Sequence, residues 1–225
     1  MNLAEARKTA ADLSKGTSDA TIKEFVERLL KKESAAGSLL DYGAGMGELL
    51  TRLHFSGGFS RLAGVDLFPR PTGLPEAIEW LQQDLNDVPK LAESYDVVVC
   101  SETIEHLENP RQVFRALYSL LKPGGLLVLT MPNQESIRSY VGLFFGGHFV
   151  HFLGASYPAH ITALLRMDLQ RMCGEVGLTD PTFHPSGHGG VPKMPKVKWR
   201  TISFGLARGR LFSDNIGLTA RRPIS

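Results

Sequence analysis

The sequence predicts an α/β protein built on a doubly wound, mostly parallel sheet. Short apolar and β-branched runs alternate with helical segments, as they do where crossover helices join parallel strands. The 225 residues suit one domain of ordinary size, and 43% hydrophobic with 21% charged residues is typical of a globular protein. The first predicted strand ends at a glycine-rich turn, where such sheets place their ligands.

The predicted elements follow one another without a repeat or a long linker. The first two are helices over 3–14 and 18–34, the second capped by Thr17 or Ser18. The next are a strand over 38–42, a helix over 48–54, strands over 61–67, 77–82 and 95–100, and a helix over 110–121 with Asn109 as cap and Pro110 in its first turn. The last are a KPGG turn over 122–125, a strand over 126–131, a helix over 167–176 ended by Gly177, a weak strand near Thr182 and a strand over 216–220.

Composition excludes several classes of protein. Cys100 and Cys173 are the only cysteines, which excludes a disulfide scaffold and a four-cysteine zinc site. The first residues, MNLAEARKTAADL, are amphipathic and lack the apolar core of a signal peptide. No run of about 18 apolar residues predicts a membrane span. We therefore expect a cytoplasmic protein.

Charge is distributed unevenly along the chain, although the net charge is only +2. Residues 1–110 hold 11 Lys/Arg against 18 Asp/Glu, whereas residues 111–225 hold 14 against 5. The basic C-terminal segment mixes these cations with Trp199 and Phe204. It suits either an anionic lipid surface or single-stranded nucleic acid, or is simply a solvated basic face. The small net charge favours lipid or small anionic partners over RNA.

The glycine-rich turn carries the strongest functional signal. Asp41, Gly43, Gly45 and Gly47 stand in LLDYGAGMGELL, between a predicted strand and a predicted helix. Glycines let the backbone approach a ligand closely. The G-x-G-x-G spacing differs from the G-x-G-x-x-G of dinucleotide folds, and the preceding acid would repel a pyrophosphate. The pattern resembles the first motif of class I methyltransferases that use S-adenosylmethionine (AdoMet).

Four further landmarks of that family follow in order between residues 38 and 133. They are Asp66 after the second strand, Asp84-Leu85 after the third, the strand YDVVVC, and LKPGGLLVLTMPN. The resemblance implies a seven-stranded sheet. It places Asp41 and Gly43 at the methionine part of AdoMet, Asp66 at the ribose and Asp84 at the adenine. The full set of implied cofactor-binding residues is Asp41, Gly43, Gly45, Gly47, Asp66, Leu67, Asp84, Leu85 and Ser101.

A second group of chemical side chains follows the fourth strand. Glu102, Glu105 and His106 have the spacing i, i+3, i+4, which puts them on one face if the segment is helical. With His160 they form a donor set for a divalent cation such as Mg²⁺, Mn²⁺ or Zn²⁺. The set resembles that of small-RNA 2′-hydroxyl methyltransferases and of ubiquinone-biosynthesis O-methyltransferases. Two alternatives stay open: a metal-free acid/base role for His106 or His160, and a structural role.

An uncharged stretch, residues 139–165, is rich in Phe and Gly and predicts a cover on the acceptor side. The resemblance to the ubiquinone enzymes adds a membrane-surface contact, through residues 140–155 or the basic C-terminal segment. A packing cap or dimer contact is the alternative. We expect His148 and His151, which would meet on a helix, to be ordinary cover residues, and we assign no role to His184 and His188.

The resulting hypothesis is a single methyltransferase domain over residues 1–225, close to the ubiquinone-biosynthesis and small-molecule O-methyltransferases. It comprises N-terminal helices over 1–36, a cofactor-binding half over 37–133, a cover over 134–166 and a C-terminal helix and strands over 167–225. The expected reaction is O-methylation of a small-molecule or lipid-like acceptor, with His106 or His160 as base. The alternatives are RNA 2′-O-methylation, N-methylation, a catalytically silent cofactor-binding module, and a dinucleotide-dependent oxidoreductase, which the glycine spacing disfavours.

Overall fold

A computed structural model describes residues 19–87 and 93–224, together with residues 5, 7–9, 12 and 16. The strands are β1 (Gly37–Tyr42), β2 (Phe59–Asp66), β3 (Ile78–Gln82), β4 (Tyr95–Ser101), β5 (Leu121–Pro132), β6 (Thr179–Pro185), β7 (Gly190–Val191), β8 (Met194–Lys198) and β9 (Asn215–Arg221). The α-helices are α1 (Ala20–Lys32), α2 (Glu48–Ser56), α3 (Pro110–Leu120), α4 (Ile137–Gly146), α5 (Arg166–Val176) and α6 (Trp199–Ile202).

Seven strands form one sheet in the order β3-β2-β1-β4-β5-β9-β6. The first five strands of that order pair in parallel, while β9 runs antiparallel to both β5 and β6. This is the predicted doubly wound, mostly parallel sheet. The strand order reverses between β1 and β4, and sheets of this kind bind ligands at the carboxyl edge of that reversal.

The two faces of the sheet bury two separate apolar clusters, because successive strand residues point to opposite sides. Leu39, Val97 and Val128 face one cluster, which α1 and α2 cover. Their neighbours Leu40, Val98 and Leu127 face the other cluster, under α3 and α5. Near-continuous apolar runs such as YDVVVC are therefore buried on both sides, as in other parallel sheets.

Most predicted elements are confirmed with boundaries shifted by one to three residues. The Asn109 side chain caps α3 by accepting from the backbone N–H of Gln112, and Gly177 ends α5 in the left-handed conformation, both as predicted. Two predictions are corrected. Asp19, not Thr17 or Ser18, caps α1, and Thr17, Ser18 and most of the predicted 3–14 helix lie outside the described residues. Strand β5 begins at Leu121, since the KPGG segment forms a bulge between two paired stretches.

Two elements were not predicted. Helix α4 lies in the uncharged cover, and only Ser139 of it is buried. The β7–β8 hairpin lies in the basic segment, where no alternating pattern marks it. The helix that would bring His148 and His151 together is absent, because α4 ends at Gly146. None of the helices within the described ranges is long and apolar enough to cross a membrane.

Candidate functional site

A cavity of about 700 Å³ opens at the carboxyl edge of the parallel strands. The ends of β1, β2, β4 and β5 reach its wall, so residues far apart in sequence meet there. Of the predicted cofactor residues, the wall contains Asp41, Gly43, Gly45, Asp66, Leu67, Asp84, Leu85 and Ser101. Gly47 is not part of that wall, since it forms the left-handed N-cap of α2 and faces Leu74.

The glycine-rich turn between β1 and α2 has backbone conformations and contacts that require glycine. Gly43 has φ +89°, and a Cβ there would lie 2.3 Å from the Thr103 hydroxyl. Gly45 has φ +55°, and a Cβ would lie 2.1 Å from the Gly16 carbonyl oxygen. Such distances are far inside van der Waals contact, so the backbone itself forms a smooth part of the cavity wall.

Two carboxylates flank this turn and differ in their hydrogen bonding. Asp66 at the end of β2 accepts hydrogen bonds from the backbone N–H groups of Gly45, at 2.7 Å, and Phe68, at 3.0 Å. Asp41 near the end of β1 is 3% exposed, and its Oδ1 has no hydrogen-bond partner among the described residues. Burial and then the nearby charge of Asp66 raise the pKa of Asp41 to about 7. An orphaned buried acceptor on a cavity wall is a place where a ligand would complete the bonding.

A third carboxylate follows β3. The Asp84 Oδ1 accepts from the backbone N–H of Asn86 at 2.9 Å and from its side-chain amide at 3.1 Å. The Leu85 carbonyl accepts from the Tyr42 hydroxyl at 3.0 Å. These bonds fix the loop after β3 against β1, on the same wall as the glycine-rich turn.

The segment after β4 makes a tight turn instead of the helix that the Glu-x-x-Glu-His spacing suggested. Glu102 has φ +49°, which costs a non-glycine residue on the order of 1–3 kcal/mol. Its backbone N–H donates to the Thr130 carbonyl, and only Ile104–His106 form a single 3₁₀ turn. Glu102, Glu105 and His106 therefore do not share a helical face, although all three line the cavity.

Glu102 and Glu105 form a buried acidic pair. Both Glu105 carboxylate oxygens lack a hydrogen-bond partner, and the residue is 2% exposed. Glu102 Oε2 accepts from the Asn215 amide at 2.7 Å, while its Oε1 is unpartnered. Burial raises the pKa of Glu102 to about 7, and burial together with the charge of Glu102 raises that of Glu105 well above its ordinary value. The pair is therefore poised to accept a cation or a proton.

His106 and His160 are held as neutral bases. Each ring places Nδ1 2.7 Å from a carbonyl oxygen, that of Ala159 for His106 and that of His151 for His160. A carbonyl only accepts, so Nδ1 carries the proton and Nε2 keeps its lone pair. Burial, and next the neighbouring His160, lower the pKa of His106 to about 4, and burial lowers that of His160.

The backbone fixes these two rings side by side, with centroids 4.7 Å apart. The Ile161 and Thr162 N–H groups both donate to the Glu105 carbonyl at 3.0 Å, which fastens the cover to the turn after β4. As a result, ligand atoms of Glu105, His106 and His160 lie within 4.8 Å of one another. Glu102, the fourth member of the predicted set, is not part of this group.

The cavity wall also contains residues that the sequence did not single out for this site. They include Asp19 and Lys23 of the α1 start, His151 of the cover, His188, Lys198 and the Asp214–Asn215 pair. Strand β9 runs antiparallel to β5, so its first residues lie at the same edge as the carboxyl ends of the parallel strands. An antiparallel last strand would therefore have placed Asn215 at the cavity, and this was the available signal for that residue. His151 and His188, which we took for cover and loop residues, both reach the wall.

Comparison with known proteins places this geometry in a family. A family model described as a methyltransferase domain matches residues 15–180. The chain is similar to the ubiquinone biosynthesis O-methyltransferase of Dechloromonas aromatica, 33% identical over 127 residues, 52% of this chain and 53% of that protein. It is also similar to the protein of that name from Pseudomonas savastanoi, 28% identical over 125 residues, 52% of this chain and 53% of that protein. The chain thus spans about half the length of these relatives.

Solved structures share the fold at low identity. A methyltransferase of Haloferax volcanii in complex with the Trm112 activator matches with TM-score 0.68 and 18% identity, over 99% of this chain and 98% of that one. The N-methyltransferase NodS of Bradyrhizobium japonicum, solved with S-adenosylhomocysteine, matches with TM-score 0.57 and 16% identity, over 97% and 99%. At such identities, the likeness shows the fold.

Proposed function

Because the chain belongs to the methyltransferase-domain family, we propose that it transfers a methyl group from AdoMet to an oxygen of a small or lipid-like acceptor. The observation that carries the proposal is the arrangement at one sheet edge. The glycine-rich turn and the carboxylate of Asp41, whose Oδ1 has no partner among the described residues, line the same cavity as the imidazoles of His106 and His160. Both imidazoles are neutral, and their Nε2 lone pairs are available.

The residues of the glycine-rich turn fit the cofactor. The unpartnered Asp41 oxygen is an acceptor for the cationic amino-acid part, Asp66 for the ribose hydroxyls and Asp84 for the adenine amine, with Gly43 and Gly45 forming the cradle. When bound, AdoMet supplies an electrophilic methyl group on a sulfonium centre. The same wall contains Leu67, Leu85 and Ser101, and Gly47 joins the glycine-rich turn to α2 as its N-cap.

His106 and His160 are the candidate bases. Methyl transfer to a hydroxyl requires the acceptor to lose its proton, and a positioned base contributes about 10²- to 10⁴-fold to such a step. The Nε2 atoms can take that proton, while the Ala159 and His151 carbonyls hold the rings by their Nδ1–H groups. Protonation of one ring discourages protonation of the other, since their centroids are 4.7 Å apart.

A divalent cation is the alternative use of the same imidazole nitrogens, because an Nε2 atom that binds a cation has no lone pair left to take a proton. Glu105, His106 and His160 would hold it, and the unpartnered Glu105 oxygens fit that use. Glu102 lies close enough to raise the pKa of Glu105, and its negative charge would attract the cation without binding it directly. One carboxylate with two imidazoles suits Zn²⁺ or Mn²⁺ better than Mg²⁺, which prefers oxygen ligands. The cation would lower the pKa of an acceptor hydroxyl.

We assign the acceptor side to the cover and to the cavity wall formed by His188, Lys198 and the Asp214–Asn215 pair. We assign residues 37–133 to cofactor binding, 134–166 to the cover and 167–225 to the remaining wall of one methyltransferase domain. The names of the curated relatives favour O-methylation of a small molecule. N-methylation and RNA 2′-O-methylation remain as alternatives to be separated by acceptor assays.

We further propose a peripheral membrane contact. Residues 189–213 carry six Lys/Arg and no acidic residue. Apolar side chains project from this segment and from α4, among them Phe204, 96% exposed, and Phe144, 83% exposed. Such a surface suits anionic lipid. The Trp199 ring packs edge-on against Phe212, with centroids 5.5 Å apart, so this aromatic pair belongs to the same surface segment.

The test of the proposed reaction is a calorimetric titration with S-adenosylhomocysteine, followed by methyl transfer from labelled AdoMet to pools of hydroxyl and amine acceptors. Both are run after chelator treatment and after adding Zn²⁺, Mn²⁺ or Mg²⁺ alone. We expect cofactor binding and transfer to hydroxyl acceptors without metal. Transfer that requires Zn²⁺ or Mn²⁺ would assign the two imidazoles to a cation instead of the proton. Absence of cofactor binding would refute the proposal, and transfer only to amines would replace it by N-methylation.

The membrane contact is tested by co-sedimentation with neutral phosphatidylcholine vesicles and with vesicles containing phosphatidylglycerol. We expect retention on the anionic vesicles alone, reduced by Phe204→Ser with Leu206→Ser. The matched control is Phe55→Ser, a phenylalanine 78% exposed on α2. Equal retention of all variants, or preferential binding to single-stranded RNA, would refute the contact.

A further inference from the structure

Arg7 lines the cavity and joins the loop after β3 to the loop after β4. Its Nη1 donates to Asp84 Oδ2 at 2.9 Å. Its Nε and Nη2 donate to the two carboxylate oxygens of Glu108, at 3.0 and 2.9 Å. Asp84 follows β3 and Glu108 follows the turn after β4, so one guanidinium bridges two separate loops. The Arg7 side chain is only 19% exposed.

Contacts with the described residues leave Asp84 with one acceptor position. A carboxylate has about four lone-pair sites. Asn86 occupies two on Oδ1 with its backbone and side-chain N–H groups, and Arg7 occupies one on Oδ2. The remaining site on Oδ2 is the one from which a ligand N–H can be accepted. Arg7 and Asn86 together therefore fix the orientation of this carboxylate.

Gly16, a second described residue that precedes α1, also lies on the cavity wall. The Gly16 carbonyl accepts from the Met46 N–H at 2.9 Å, next to Gly45 of the glycine-rich turn. Both Arg7 and Gly16 line the cavity. Two described residues that precede α1 therefore contribute to the cavity wall, one against Asp84 and the other against the glycine-rich turn.

We propose that Arg7 is a positioning residue of the cofactor site. It orients Asp84 towards a bound cofactor by joining that carboxylate to Glu108. This inference rests on the proposed function, since it assigns Asp84 to the adenine end of AdoMet. A bidentate guanidinium–carboxylate pair is a geometry that lysine does not reproduce.

The test measures the affinity and dissociation rate of S-adenosylhomocysteine for the wild type, Arg7→Ala and Arg7→Lys. The matched control is Arg111→Ala, because Arg111 makes the same kind of bidentate pair with Glu175 on the surface, away from the cavity. We expect Arg7→Ala to raise the dissociation rate roughly tenfold, Arg7→Lys to recover part of the loss, and Arg111→Ala to have no effect.

Two further readouts separate positioning from a merely structural role. The melting temperature of the ligand-free Arg7→Ala variant should match that of the wild type. The effect of Arg7→Ala on dissociation should disappear in an Asp84→Asn, Glu108→Gln background. If the wild type binds S-adenosylhomocysteine and Arg7→Ala releases it at the same rate, the inference is wrong while the proposed function stands. If the wild type does not bind it, the proposed function itself fails.

Discussion

Asp41 and Asp96 lie on neighbouring central strands, β1 and β4, but at opposite edges of the sheet. At the amino edge, Asp96 Oδ2 accepts from the Ser38 N–H and hydroxyl at 2.8 and 2.6 Å and from the Lys122 ammonium at 2.8 Å. These partners, Lys122 first, lower the pKa of Asp96 to about 2. At the carboxyl edge, burial raises the pKa of Asp41 to about 7, and Oδ1 has no partner.

The difference separates stability from function. A protein selected for stability alone would pair its buried carboxylates, since an unpartnered one costs several kcal/mol in practice. The carboxyl edge instead gathers Asp41, Glu102 and Glu105 with unpartnered oxygens around one cavity. Strained and unsatisfied groups of this kind concentrate at functional sites. Substitutions at the two edges should therefore have opposite effects on folding and on binding.

The largest expected effect is on methyl transfer, from His106→Gln or His160→Gln. Removing a positioned base should lower the transfer rate by about 10²- to 10⁴-fold while S-adenosylhomocysteine binding changes by less than about threefold. The control is His54→Gln, which alters a histidine on α2 outside the cavity wall. Full activity of both cavity variants would show that neither ring takes the proton. Rate and affinity are read from single-turnover kinetics and calorimetry.

Asp41→Asn should separate stability from binding in one variant. Because the folded-state pKa of about 7 exceeds the ordinary aspartate value, the wild type loses stability as the pH rises from about 4 to about 7. The asparagine variant escapes that loss, so above pH 7 its free energy of unfolding should exceed that of the wild type by up to about 4 kcal/mol, at about 1.4 kcal/mol for each unit of difference between the folded and unfolded pKa values. Its affinity for S-adenosylhomocysteine should fall about ten- to a hundredfold, as expected for a lost charged hydrogen bond.

Urea unfolding of the ligand-free protein at a series of pH values, with calorimetry at pH 8, measures both effects. The stability gain of the variant should disappear below about pH 4, where Asp41 is protonated in both the folded and the unfolded wild type. An Asp41→Asn variant that is less stable at pH 8, yet binds the cofactor normally, would assign Asp41 to the core of the fold and remove it from the site.

The sequence predicted the parallel half of this edge well, for identifiable reasons. Strand β1, the glycine-rich turn and Asp66 are local signals, because the turn needs glycine at Gly43 and Gly45 and parallel strands end at a common edge. The turn after β4 was harder. Its residues were identified, but the shared face depended on the condition that the segment is helical, and the left-handed Glu102 that prevents a helix leaves no mark in the sequence.

The antiparallel part of the edge could not be predicted from local patterns. Asn215 meets Glu102 because β9 enters the sheet from the far end of the chain, a pairing that depends on topology alone. The Arg7 bridge to Asp84 spans 77 residues and has no periodic signal. Helix α4 escaped prediction because its apolar residues do not follow a buried stripe, and Phe144 and Phe145 face solvent.

Asp96→Asn tests the amino edge and should show the reverse of Asp41→Asn. The folded-state pKa of about 2 lies below the ordinary value, so the ion pair stabilises the protein above about pH 4, and this contribution is lost as the pH falls towards 2. With the side chains 41% and 43% exposed, solvent screening limits the loss in the variant to about 1 kcal/mol at pH 7. Cofactor affinity should not change.

The control for that measurement is Glu175→Gln, which breaks an exposed pair with Arg111 and should leave stability unchanged. A loss of cofactor affinity in Asp96→Asn, at the edge away from the cavity, would show that the two edges are coupled. The comparison between them would then no longer hold.

Ser38→Ala gives the smallest and most specific effect. The Ser38 hydroxyl donates to Asp96 Oδ2 at 2.6 Å and accepts from the Asp96 N–H at 3.1 Å, but Lys122 and the Ser38 N–H remain as partners when it is removed. The free energy of unfolding should fall by about 0.5–1 kcal/mol at pH 7. Because one donor to the carboxylate is lost, the pKa of Asp96 should rise towards its ordinary value, so the stability lost on acidification should be smaller and its loss should be complete at a higher pH than in the wild type. An unchanged acid transition would mean that Lys122 alone lowers the pKa of Asp96, and that the amino edge is satisfied by charge rather than by its hydrogen-bond network.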